Sequence, residues 1–164
     1  RIVRVEGGDE GETLQISVNM GQIPDLSEPQ NWSDLQCNPD RPVRHLSLGN
    51  PHSVVGVDDL DAVDLQKLGA LVPQLNLEIV AAGPEIDAIT MRVHERGAGI
   101  TLACGTGACA AAEAALAWGL VPASTPEVIV HMTGGDARVR IDLASRTATL
   151  IGPSVFIASL SVHV

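Results

Sequence analysis

Apolar and polar side chains alternate through most of the 164-residue chain, the two-residue period of strands that bury one face. The alternation in Arg1–Val5 and Thr13–Val18 predicts a hairpin, with Gly7, Gly8 and Gly11 in its turn. Residues 21–44 are rich in Pro, Asn and Asp and predict a long loop. A short strand over Val43–Leu48 then runs into a sharp turn at Gly49, followed by a second apolar run, SVVGVDD. In DLDAVDLQKLGALV, Leu60, Val63, Leu65, Leu68 and Leu71 share one face, which predicts a helix capped by Asp61 or Asp64.

LNLEIVAA and AITMRVHE read as paired strands around the turn-rich GPEID. Thr106–Trp118 is an alanine-rich helix with Gly119 as its C-cap. EVIVHM, ARVRIDL and TATLIG predict a meander, turning at Gly134–Gly135 and again over Ala144–Arg146, and VFIASLSVHV predicts a final strand. Many short strands with two helices give an α+β class rather than a doubly wound parallel sheet.

Composition narrows this further. The chain is 45% hydrophobic but 2% aromatic, so the core is expected to be Val, Leu, Ile and Ala. A formal net charge of −10 argues against nucleic acid or an anionic membrane surface as partner, while leaving room for a local cationic pocket. No apolar run approaches the ~18 residues of a spanning helix. Three cysteines and no secretory signal suggest free thiols in a reducing, cytoplasmic setting. The C-x4-C spacing of Cys104 and Cys109, with no clustered His, is not a metal-ligand pattern.

The chemistry concentrates in HERGAGITLACGTGACAAAEAALAW, His94 to Trp118. Cys104 stands just before the helix, beside Gly105 and Gly107, where unpaired backbone N–H groups and the helix dipole favour a thiolate. The same N–H groups could hold a substrate carboxylate. On composition alone, a buried apolar Cys104 in a glycine turn is the simpler account. Cys109 lies about 140° further round the helix among alanines and reads as core. GNPH, Gly49 to His52, sets an amide and an imidazole on a proline-fixed turn, and His94–Gly97 ends a strand with Glu95 and Arg96. Each has an ordinary reading, as an Asn-Pro turn with an exposed His and as a solvated charge pair. Asn76 interrupts an apolar strand and reads as an edge or bulge. Glu113 reads as the solvent side of the helix, and His131 and His163 as structural or surface residues. Taken together, a thiol, an imidazole, a carboxylate, an arginine and a helix start suit a small substrate bearing a carboxylate. Proton transfer and nucleophilic attack both remain open.

ERGAGITLACGTGACA, Glu95 to Ala110, together with GNPH, resembles the C-terminal half of diaminopimelate epimerase, a cofactor-independent two-cysteine racemase family. VNMG at Val18–Gly21, Asn76 in its strand, and Gly152–Pro153 extend the resemblance over most of the chain. The implied fold is a duplication in which each half wraps a largely antiparallel sheet around a central helix, with the site between halves. On that pattern residues 1–154 form the C-terminal domain, and residues 155–164 return as a strand to an N-terminal domain. The resemblance implies Cys104, His52 and Glu95 as catalytic residues. It implies Asn50, Asn76, Glu95, Arg96, Gly105 and Thr106 as substrate-binding residues, with no cofactor and no metal.

The implied activity is interconversion of LL- and meso-2,6-diaminopimelate by two-base α-proton transfer, in lysine and peptidoglycan precursor biosynthesis. The alternatives are another cofactor-independent amino-acid racemase of the same fold, or a non-catalytic module. The first-half motif, a cysteine followed by GNG, is absent, and Cys37 in QCNPD does not match it. Ile100 stands where the family has an acidic residue. The strand-like start RIVRVEGG, without Met, suggests a fragment. A partner domain carrying the second cysteine is therefore expected, as is a homodimer as an alternative assembly, and the isolated chain is expected to be inactive or nearly so.

Overall fold

The computed structural model describes residues 2–7 and 13–162. Ten strands form one mixed sheet: β1 (Val3–Gly7), β2 (Leu14–Gln22), β3 (Val43–Ser47), β4 (Pro51–Gly56), β5 (Asn76–Ala82), β6 (Ala88–Glu95), β7 (Gly99–Thr101), β8 (Val128–Met132), β9 (Gly135–Asp142) and β10 (Thr147–Ser154). The order is β1-β2-β10-β9-β8-β6-β5-β4-β3, with β7 added to β6. Among the described residues, only β4/β5 and β6/β8 pair in parallel. The hairpin, the central strand pair and the meander thus form where alternation predicts them. Gly8 and Gly11 of the first turn, together with Arg1 and His163, lie outside the described residues.

The predicted loop over residues 21–44 contains the piece that closes the sheet. Beyond the end of β2 the backbone stays extended. Ile23 N–H donates to the Arg146 carbonyl (2.9 Å), Ser47 N–H to Pro24 (3.0 Å), and Leu26 N–H to His45 (2.8 Å). Asp25 and Leu46 form an antiparallel bridge. Residues 23–26 therefore join β10 on one side to β3 on the other, and the sheet becomes a barrel wall. A Pro at position 24 fits such a seam, because it has no N–H to leave unpaired.

Inside the wall lies α2 (Gly105–Trp118), which touches β3, β4, β5, β6, β8, β9 and β10. Every residue from Gly107 to Leu116 is buried, so the helix has no solvent face. Its run of alanines follows from that: only small side chains let seven strands approach one helix. Gly119, with φ 71°, ends it as the C-cap. Glu113 is the correction here. Its side chain is buried, not solvated, and its Oε1 accepts from Arg146 (2.8 Å) and Arg44 (3.3 Å). Both arginines also bond Asp25, so this cluster pins the closing segment to the helix.

The outer face of β4 and β5 carries a second core, in which Val55, Leu77 and Ile79 pack under a short 3-10 turn (Trp32–Leu35) and α1 (Leu65–Leu71). α1 is shorter than the predicted helix. Asp64 caps it by accepting from Lys67 N–H (3.1 Å), which fixes the start one turn later than the apolar spacing suggests. The predicted final strand is not formed over residues 155–162, where Phe156, Ile157, Leu160 and Val162 are exposed. β10 is already paired on both edges, with β2 and β9, so the chain leaving it meets no free ladder.

Candidate active site

Strand alternation turns four polar side chains toward α2. On β5, Asn76, Glu78 and Val80 share a face, and Val80 belongs to the core around the helix, whereas Leu77 and Ile79 belong to the outer one. On β4, His52 has the parity of Val54. On β6, Glu95 has the parity of Met91 and Val93. His52, Asn76 and Glu78 are buried, and Glu95 is half-buried.

Cys104 is the N-cap of α2, in an extended conformation. Its Sγ accepts from Gly107 N–H at 3.4 Å and lies 3.5 Å from Thr106 Oγ1. A thiol thus takes the place that Ser, Thr, Asp or Asn usually fills at a helix start. From Thr106 the contacts continue inward. Asn50 Nδ2 donates to Thr106 Oγ1 (3.4 Å), and His52 Nε2 lies 3.1 Å from Asn50 Oδ1. His52 Nδ1 lies 2.6 Å from Glu78 Oε1. On the other flank, Arg96 N–H donates to Asn76 Oδ1 (2.8 Å) and Thr101 Oγ1 donates to Glu95 Oε1 (2.5 Å). Asn76 therefore holds the turn after β6 in place and is no edge defect. Gly105 leaves room for β10: a Cβ there would sit 2.8 Å from Leu150 Cδ2.

Every residue predicted for the site is thus near the start of α2 or on the strand ends beside it. Arg96 is exposed, and among the described residues it is tied in through its backbone N–H to Asn76. Electrostatics differ from expectation at one point. The helix start was expected to lower the Cys104 thiol, but burial pushes it up. The bonds from Thr106 and Gly107 oppose that shift, and the charges of Glu78 and Glu95 reinforce it. Burial likewise raises the Glu78 carboxyl, against the bond from His52. Cys109 is fully buried in the helix core, as its position predicts. Cys37 borders an apolar cavity with Val55, Leu77 and Ile79, on the opposite face of the sheet from Cys104.

Glu78 was missed in the sequence. Its signal was the polar-apolar alternation Asn76, Leu77, Glu78, Ile79, which puts it on the same face as Asn76. His131, between Glu85 (2.9 Å) and Asp136 (2.8 Å), belongs to a surface cluster on another part of the sheet.

Comparison with known proteins fits this architecture. The family model described as diaminopimelate epimerase matches residues 45–157. A diaminopimelate epimerase of Thermosynechococcus vestitus is 41% identical over 123 residues, covering 70% of this chain and 43% of that protein. One from Desulforapulum autotrophicum is 34% identical over 169 residues, covering 91% of this chain and 57% of that protein. The chain spans about half the length of the curated relatives it matches. Among solved structures, a predicted epimerase from Pseudomonas aeruginosa superposes with TM-score 0.64 at 15% identity, covering 96% of this chain and 63% of that one. A PhzF-family phenazine biosynthesis protein from Bacillus anthracis gives 0.63 at 14% identity, covering 99% and 64%. At those identities the two structures establish the fold alone: α+β, with a large sheet around a helix.

Proposed function

The chain belongs to the diaminopimelate epimerase family, and from that premise we propose that it supplies one of two bases to a cofactor-independent epimerisation of diaminopimelate. The observation that carries this reading is the placement of Cys104 at the N-cap of α2, in contact with Thr106, whose hydroxyl Asn50 also reaches. The α-hydrogen of an amino acid is a very weak acid, and its removal leaves charge that must be stabilised as it develops. Backbone N–H groups of Gly105 and Thr106 at the helix start are placed to bind the carboxylate next to the reacting carbon. Asn50, Asn76 and Arg96 are assigned to hold the rest of the substrate. Cys104 exchanges a proton on one face, supported by His52 and Glu95, and a cysteine of a further domain serves the other face. A thiol raised by burial is suited to hold its proton until a substrate arrives. It then needs the partner domain to complete the cleft and exclude water.

The test is α-hydrogen exchange from LL-diaminopimelate in deuterated water by a complete protein containing this segment. Exchange is expected with the complete protein and its loss with Cys104→Ser, because a hydroxyl is a far weaker base than a thiolate at neutral pH. The chain by itself is expected to show little or none. Ile100, in place of the family's acidic residue, is the observation that favours a second reading, another amino-acid racemase of the same fold. Exchange with a smaller or aromatic amino acid but not with diaminopimelate would select it.

A further inference from the structure

We propose that Glu78 is a positioning residue of the Cys104 site: its buried carboxyl group fixes the His52–Asn50–Thr106 chain that orients the thiol. As a statement about catalysis this rests on the racemase reading. The first observation is that Glu78 has no packing reason to be there. It is fully inaccessible, with Val54 and Val80 in the same inner core, and an aliphatic side chain would fill the position without desolvating a carboxyl.

The second is its contact with His52. Asn50 Oδ1 can only accept, so His52 Nε2 carries a hydrogen and donates it. The 2.6 Å Nδ1–Oε1 contact therefore holds one further proton, on the ring or on the carboxyl. Either way the ring cannot turn over without losing both partners. Asn50, held at Oδ1 by that ring, presents Nδ2 to Thr106, and Thr106 presents its hydroxyl to Cys104 Sγ. The third observation is Gly107. A Cβ there would lie 2.8 Å from Glu78 Oε1 and 3.3 Å from Cys104 Sγ, so the glycine is what allows carboxyl and thiol to approach the same helix turn. Glu78 Oε2 is buried with no hydrogen-bond partner among the described residues.

Cys104 is thus faced by Glu78 from β5, by Glu95 from β6, by Thr106 and the Gly107 N–H from α2, and by His52 of β4 through Asn50. Replacing Glu78 with a neutral side chain leaves the local net charge unchanged, because the proton it shares with His52 goes with the carboxyl. It also frees the chain on the β4 side that holds Thr106 against Cys104. The experiment follows alkylation of Cys104 by iodoacetamide against pH, resolved by peptide mass spectrometry, in the chain and in Glu78→Leu, which fills the space without a partner for His52. The midpoint for Cys104 is expected to rise by about half a pH unit or more as the bond from Thr106 is loosened, which is about threefold slower alkylation below the midpoint. Cys37, on the far face, is expected to keep its profile. A folded variant with an unmoved or lowered Cys104 midpoint overturns the proposal. Should the variant not fold, the ¹⁵N shifts of His52 in the unsubstituted chain decide. Protonated Nε2 with a hydrogen-bonded Nδ1 supports the proposal, and a free Nδ1 overturns it. Neither readout needs turnover, so a complete protein without α-hydrogen exchange would sink the racemase reading while leaving this result to stand or fall by itself.

Discussion

Two cysteines five residues apart in one sequence do different things because one caps a helix and the other is inside it. Cys109→Ser is expected to destabilise the chain by about 1–3 kcal/mol, through a hydroxyl placed in a dry core, with the Cys104 alkylation profile unchanged. Urea midpoints and peptide mapping check both halves of that statement. Asp25 gives the residue-scale pH prediction. Arg146, with help from Arg44, holds its carboxyl down at about 2 against an ordinary 3.8. A depressed folded-state value means that its contribution to stability is present above the ordinary value and lost as pH falls toward 2. Asp25→Asn should therefore flatten the loss of stability between about pH 4 and pH 2. Its size is small because the side chain is over half exposed. An acid-unfolding curve identical to that of the unsubstituted chain would show that the clasp carries no such linkage.

At the scale of elements, two helical glycines are fixed by what passes next to them. A Cβ at Gly69 would sit 2.1 Å from the His94 ring, so α1 can lie on β6 only with a glycine there. Gly69→Ala gains up to about 1 kcal/mol of helix propensity, but the overlap with a buried ring costs about 1–3 kcal/mol. We expect a net loss of stability, visible as a lower thermal midpoint. Gly107→Ala should behave alike, its Cβ meeting a carboxyl that His52 holds in place.

Alternation and capping made the strands, α2 and its ends legible in the sequence, since those signals are local. The barrel seam was not legible. Residues 23–26 look like loop until they meet Arg146 and His45, more than a hundred residues apart. Glu113 was misplaced for the same kind of reason: a charged residue among alanines reads as a solvent face unless the two arginines that reach it are known. The apolar spacing begins before the cap and leaves the start of α1 between Asp61 and Asp64; the structure selects Asp64. Cys104 and its neighbours were legible as types and as a family pattern, but the chain from Glu78 to the thiol needs two strands, a turn and a helix brought together.

For the molecule as a whole, exposed apolar side chains gather in two segments of the chain. Ile2, Val3 and Val5 on β1 and near it, and Val155, Phe156, Ile157, Leu160 and Val162 after β10, are all exposed apolar side chains. Large exposed apolar groups of this kind mark surfaces that are covered in use. We expect the isolated chain to self-associate, and a chain ending at Ser154 to do so less. Light scattering over a concentration series checks this, and an intact chain that stays monomeric throughout would refute it.

The closed wall around α2 also bears on the order in which the chain can assemble. A helix without a solvent face cannot be threaded into a finished barrel, so the last strand contact must form after the helix is in place. The seam at residues 23–26 joins segments far apart in sequence and is the natural candidate for that late step. Contacts made after the rate-limiting barrier alter unfolding rather than folding. Loosening the clasp with Asp25→Asn should then speed unfolding in stopped-flow experiments and leave the refolding rate almost unchanged. A slowed refolding limb would mean that the barrel closes early and the helix forms within it.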